Sequence, residues 1–175
     1  MENLERDLAN NASEGNLEEV KSLIKTGSYR MVIDVFMEAS RWGDLEVVKY
    51  LVDEGVDINI RKGQALILAC EHGHLDTVKY LLSQGIDIHV QNDDAIIYAC
   101  INGYIEVVKY LLSQGIDVNT RHGMPIIKAS IFGRLDTVKY LVEAGADINI
   151  SNCAPLKLAH KYNRKDVVNY LKEVI

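Results

Sequence analysis

Near-copies of one phrase divide this chain at a fixed interval. LEVVKYL begins at Leu45, LDTVKYL at Leu75, IEVVKYL at Ile105 and LDTVKYL again at Leu135, each thirty residues after the last. Tyr50, Tyr80, Tyr110, Tyr140 and Tyr170 keep the same spacing. A weaker copy, GNLEEVKSLIKTG, starts at Gly15, and a divergent one, NRKDVVNYLKEVI, at Asn163. A period of roughly 20–50 residues marks supersecondary units too small to bury their own apolar faces, so the units must stack. Six of them cover the 175 residues, at approximately 1–27, 28–57, 58–87, 88–117, 118–147 and 148–175, as a single domain.

Each unit reads as two helices. In LDTVKYLLSQG, Leu75, Val78, Leu81 and Leu82 form one stripe, Asp76, Thr77 and Lys79 face water, and Tyr80 bridges the two. The preceding QALILAC is apolar nearly all round, which predicts a short helix with neighbours on both sides. Gly15, Gly43, Gly73, Gly103 and Gly133 separate the two helices, with Asn163 in that place in the last unit. Gly27, Gly55, Gly85, Gly115 and Gly145 end the second helix. Gly63 and Gly123 fall in the loops before a first helix. All twelve glycines are then placed, and none remains for a phosphate-cradling loop. The β-branched alternation Ile86, Ile88, Val90 predicts a short extended arm after the second helix. Pro125 and Pro155 suit the first turn of a helix, and Asp34 and Asp94 are the expected N-caps in their units.

Charge narrows the functions. The net charge of −6 argues against a nucleic-acid surface, which needs concentrated Lys and Arg. No apolar run reaches the roughly 18–20 residues that span a bilayer, and the polar, acidic start is unlike a secretory signal. A cytosolic or nuclear chain with reduced thiols at Cys70, Cys100 and Cys153 is expected. The head is acidic (Glu2, Glu5, Asp7, Glu14, Glu18, Glu19) and the tail basic (Lys157, Lys161, Arg164, Lys165, Lys172). Head-to-tail stacking into a structural or self-assembling protein is therefore an alternative function, with anything from a monomer to weak self-association.

Catalytic patterns are missing. Cys70, His72 and His74 in CEHGH lie close in sequence, but no second cluster completes a tetrahedral metal site. Cys70 shares a column of small residues with Ala12, Ser40, Cys100 and Ser130, which fits close helix packing. His89, His122 and His160 have no nucleophile and orienting acid beside them in the pattern. Asp57, Asp87, Asp117 and Asp147 recur once per unit, as turn residues do. The tyrosine ladder alternates with lysines, yet an acid precedes each lysine by three residues, so packing explains it better than base stacking. No catalytic residue, metal or cofactor is expected.

The phrases QALILACEHGHLDTVKYLLSQGIDIH and MPIIKASIFGRLDTVKYLVEAGADIN resemble the ankyrin repeat, TPLHxAAxxGH followed by VVxxLLxxGADxN. The resemblance runs through all six units. It is specific in the second helix and degenerate in the first, where Ile67, Ile97 and Ile127 replace the histidine of TPLH. The thirty-residue period, against about 33 in the family, is similar to that of ankyrin proteins of giant DNA viruses of amoebae. The resemblance implies an all-α solenoid of six helix–turn–helix units with short or degenerate β-hairpin fingers. It also implies polar terminal units capping the array.

For function, the resemblance implies a non-enzymatic module that binds a partner protein through its concave face. Carried over by position, that face is Arg41 and Trp42, Glu71 and His72, Ile101 and Asn102, Ile131 and Phe132, and Lys161 and Tyr162. The finger residues Arg61, Lys62, Gln91, Asn92, Arg121, His122, Ser151 and Asn152 form its rim. Large aromatic and Arg side chains, the usual interface anchors, collect in this row although the scaffold does not demand them there. If the chain is viral, the implied role is a host-directed adaptor in host cytoplasm, with nucleus or virion as other locations. Neither nucleic acid nor membrane is expected as a partner.

Overall fold

A computed structural model describes residues 17–26 and 29–175, and every described regular element is helical. The helices are α1 (Leu17–Thr26), α2 (Tyr29–Trp42), α3 (Leu45–Asp53), α4 (Ile60–Glu71), α5 (Leu75–Ser83), α6 (Val90–Asn102), α7 (Ile105–Ser113), α8 (Thr120–Phe132), α9 (Leu135–Glu143), α10 (Ile150–Lys161) and α11 (Lys165–Val174). After α1 they alternate as first and second helices of the thirty-residue unit. The segment expected to pair with α1, with Gly15 and most of the acidic head (Glu2, Glu5, Asp7, Glu14), lies outside the described residues, as does Gly27. The chain groups into two compact halves that divide between Val90 and Gln91.

Both helix ends of a unit close in the same way. Backbone N–H groups of Asp44, His74, Tyr104, Arg134 and Arg164 bond carbonyls five residues back, and those of Val56, Ile86, Ile116 and Ala146 do likewise after the second helix. This six-to-one bond needs a left-handed residue just before the donor. Gly43, Gly73, Gly103 and Gly133 supply it after the first helix, and Asn163, at φ 57°, takes the same role in the last unit.

The core repeats by column. Leu51 and Leu81 in the N-terminal half, and Leu111, Leu141 and Leu171 in the C-terminal half, are fully buried, and a valine three residues earlier is buried with each. Ala39, Ala69, Ala99, Ala129 and Ala159 are fully enclosed, as are the small residues Ser40, Cys70, Cys100 and Ser130 beside them. The stripe on the second helix is rotated from the expected one. Thr77 and Thr137 are 1% exposed, whereas Leu75 and Leu82 are only half-buried. Thr77 stands in the column of Val47 and Val107, and threonine has the shape of valine. Its hydroxyl has no hydrogen-bond partner among the described residues, so shape and not polarity holds it there.

The fingers differ from expectation. None of the described residues forms a strand, and the arm expected at Ile86–Val90 is a turn. The Asp column causes it: Oδ1 of Asp57, Asp87, Asp117 and Asp147 each accepts the N–H two residues on, at 2.9 Å. Such Asx turns pull the chain out of extended geometry. Three consecutive left-handed residues then follow: Arg61-Lys62-Gly63, Gln91-Asn92-Asp93, Arg121-His122-Gly123 and Ser151-Asn152-Cys153. In a shortened repeat this leaves no residues for strand pairing.

The third left-handed position is matched to the next unit. A Cβ on Gly63 would lie 2.4 Å from Val90 Cγ1, so the site has no room for a side chain. One unit on, Asp93 occupies that place and accepts a hydrogen bond from the Thr120 hydroxyl. Glycine meets a hydrocarbon, and a carboxylate meets a hydroxyl. Asp34 is not a cap: it sits inside α2 and takes a 2.6 Å ion pair from Arg61. Asp94, the first residue after the left-handed stretch, pairs with Arg121.

Candidate interaction surface

The positions just before the inter-helix glycine lie at the C-terminal ends of the first helices. In the N-terminal half, Glu38 organises the end of α2. Its carboxylate is 3.3 Å from Arg41 Nε and accepts from Trp42 Nε1 at 3.2 Å. The indole nevertheless stays 54% exposed. Glu71 and His72 are half-buried at the end of α4, and His72 Nδ1 lies 3.1 Å from the Leu68 carbonyl. Arg61 is tied to Asp34 and Lys62 is exposed.

In the C-terminal half, Ile101, Asn102 and Ile131 are half-buried, and the Asn102 amide donates to the Tyr98 carbonyl at 3.2 Å. Phe132 and Tyr162 are 40% and 46% exposed, and Lys161 Nζ lies 5.7 Å from the Tyr162 ring centroid. Gln91, Asn92, His122, Ser151 and Asn152 are exposed, and Arg121 reaches Asp94. A groove runs between α6 and α8, lined by Asp94, Ile97, Tyr98, Ile101, Arg121, Met124 and Lys128. Of these only Ile101 and Arg121 were expected in the surface. Residues 98 and 128 fall in a column that reads Glu38, Leu68, Tyr98, Lys128, Leu158, so its variability was a signal in the sequence.

A second column also escaped the sequence reading. The residue after the inter-helix glycine or asparagine fastens one unit to the previous one. His74 Nε2 lies 2.8 Å from the Arg41 carbonyl, Arg134 Nε donates to Ile101 at 2.9 Å, and Arg164 Nε donates to Ile131 at 2.7 Å. These carbonyls end first helices, where cations are favoured. Asp44, in the same column, instead caps its own helix by accepting from the Val47 N–H at 3.2 Å.

The opposite face is occupied by internal contacts. Lys21 lies 5.7 Å from the Tyr50 centroid and Lys49 5.7 Å from Tyr80, and in the other half Lys109 and Lys139 sit 5.7 and 5.9 Å from Tyr140 and Tyr170. Each lysine is placed over the ring one unit further on, an arrangement worth about 0.5–1 kcal/mol at exposed sites. Cys70 and Cys100 are fully buried, and burial pushes both thiols well above their ordinary range. Among the described residues no three His, Cys, Asp or Glu side chains converge to hold a metal, and no helix is long and apolar enough to cross a membrane.

The family model for three copies of the ankyrin repeat matches residues 36–122, and that for one ankyrin repeat matches residues 125–153. The chain belongs to the ankyrin-repeat family. The two matches together span about two thirds of it. No curated protein matches it at a significant level. Ankyrin repeats are in general protein–protein interaction modules and typically carry no enzymatic activity. Of the row at the ends of the first helices, residues 41, 42, 71, 72, 101, 102, 131 and 132 fall within the matched residues, and Lys161 and Tyr162 lie beyond them.

In the ankyrin scaffold the contact of His74 is sensitive to pH. The Arg41 carbonyl can only accept, so His74 Nε2 carries the proton and Nδ1 is bare in the neutral ring. Burial holds the imidazole below its ordinary value; the carbonyl of Arg41 opposes this and nearby His72 adds to it. The unfolded chain therefore binds more protons than the folded one just below about pH 6.5. Stability from this group is complete above that pH and is lost as pH falls through the folded value. His74→Arg, which copies the residue at positions 134 and 164, keeps the carbonyl contact without a titrating group. Urea midpoints from about pH 7.5 to about 5 should fall less for the variant than for the parent. Parallel curves would show that His74 does not contribute.

Proposed function

We propose that this chain is a non-enzymatic module that binds a partner protein through the first-helix ends and the left-handed turns. The observation that carries the reading is the exposure of Trp42, Phe132 and Tyr162 at positions the repeat does not require to be large. The second-helix face is taken up by its own Lys–Tyr and Lys–Glu contacts. Aromatic residues contribute most at interface centres, where truncation often costs about 2 kcal/mol or more. Arg61 and Arg121, held by Asp34 and Asp94, give the rim a fixed geometry. The host-directed adaptor role belongs to this reading and rests on the resemblance of the thirty-residue phrases alone.

The test is affinity capture from an amoebal lysate, comparing the parent with a Trp42→Ala, Phe132→Ala, Tyr162→Ala variant of unchanged circular dichroism. Partners held by this face should be depleted at least about tenfold on the variant. An outer-face control, Glu106→Ala, should capture them normally. Equal capture by the triple variant would refute the assignment of the face.

A further inference from the structure

Charge in the C-terminal half is sorted between its two faces. From Gln91 onward, the first helices with their preceding turns and following junctions (91–104, 120–134, 150–164) carry six Lys and Arg against two Asp. The second helices with their following turns (105–119, 135–149, 165–175) carry seven Asp and Glu against four Lys. Thus the first-helix side is basic in a chain whose net charge is −6.

The two acids on that side are already committed. Asp94 is paired with Arg121, and Asp93 is almost fully buried and accepts from Thr120. Lys128 and Lys157 have no ion pair among the described residues, in contrast to Lys109 on the other side, which is 2.8 Å from Glu106. Lys128 also borders the groove whose apolar surface comes from Ile97, Tyr98, Ile101 and Met124. A groove that mixes apolar and polar side chains thus lies beside Lys128, which no carboxylate among the described residues neutralises.

We infer that the partner presents an acidic, amphipathic peptide segment. Its aliphatic or aromatic side chains enter the groove between α6 and α8, and its carboxylates face Lys128 and Lys157, which stands in the next unit in the column of Ile97 and Ile127. This rests on the protein-binding reading above and adds the chemistry of the partner. A peptide is favoured over a phosphate backbone because Ile97, Ile101 and Met124 in the groove wall can pack against apolar side chains and offer no donor to a phosphate.

Fluorescence anisotropy on the full chain tests it with three short labelled peptides. They share the same spaced Leu and Phe residues, flanked by Asp and Glu, by Ser, or by Lys; a labelled single-stranded oligonucleotide is the fourth probe. The acidic peptide should bind roughly tenfold tighter than the serine peptide, with the advantage shrinking toward ~0.3 M salt. The lysine peptide and the oligonucleotide should not bind. Lys128→Glu with Lys157→Glu should remove the preference, Lys128→Arg should keep it, and Lys139→Glu on the other face should leave it unchanged. Equal binding of acidic and serine peptides, both weakened by Phe132→Ala, overturns the acidic partner and leaves the binding face standing. Tighter binding of the oligonucleotide overturns it as well. No binding by any probe overturns it too, and the capture experiment then decides the face separately.

Discussion

Leu81→Ala is expected to lower the unfolding free energy by about 2–5 kcal/mol. Leu81 is fully buried, in the same column as Leu51, and its removal leaves a cavity in a closely packed interior that relaxes only in part. In a repeat array, stability is a sum of unit terms and nearest-neighbour interfaces. Losing this leucine weakens the unit that holds it and the interface it helps to form. Since whole domains are stable by only about 5–15 kcal/mol, the effect should be plain in a urea titration. The midpoint should drop, and a fall in the m-value as well would show one part of the array opening before the rest. Leu82→Ala, one residue on but half-buried, should cost clearly less. Equal losses at the two positions would mean that the burial pattern on α5 is misassigned.

The repeat, its glycines and its helices were legible because each follows a rule of period or dihedral angle. Val78 and Leu81 recur at thirty-residue spacing and are buried alike from Val48 and Leu51 to Val168 and Leu171, and Gly73 shares its positive φ with Gly43, Gly103 and Gly133. What period alone misreads is polarity. Thr77 looks like a surface residue by type, but its column is set by Val47 and Val107, and comparison down the column would have placed it inside. The turns failed for a local reason. Ile86, Ile88 and Val90 alternate like a strand, but the Asp87 carboxylate between them bonds the His89 N–H and closes an Asx turn. Asp34 and Asp94 look like caps of their own helices, while their arginine partners lie 27 residues further on. Contacts from unit to unit decide such roles, and they become visible only when equivalent positions are compared in pairs. The candidate surface divides in the same way. Trp42, Phe132 and Tyr162 stood out by type, but Tyr98, Met124 and Lys128 gained meaning only from the groove they share with Ile101.

Gly43→Ala should destabilise the chain by about 2–3 kcal/mol, and a large part of that loss should depend on His74. Gly43 has φ 77°, where an alanine costs about 1–2 kcal/mol. Its new Cβ would stand 2.3 Å from His74 Nδ1 and 2.4 Å from Cγ, so the ring must leave. Leaving breaks the 2.8 Å contact to the Arg41 carbonyl, worth about 0.5–1.5 kcal/mol net. Gly55 separates the two causes. It has φ 91°, and nothing lies within 4 Å of where an alanine methyl would stand, so Gly55→Ala should show the dihedral cost alone. His74→Ala should cost about 1 kcal/mol in the parent and almost nothing beside Gly43→Ala, a coupling of about 1 kcal/mol in a double-mutant cycle. The same close approach recurs at Gly103 and Gly133, where a Cβ would lie 2.8 Å from Cδ of Arg134 and Arg164. A long arginine swings aside more easily than an imidazole, so alanine at those sites should be milder. If Gly43 and Gly55 respond equally, and His74→Ala adds its full cost in both backgrounds, the glycine is there for its dihedral angle alone.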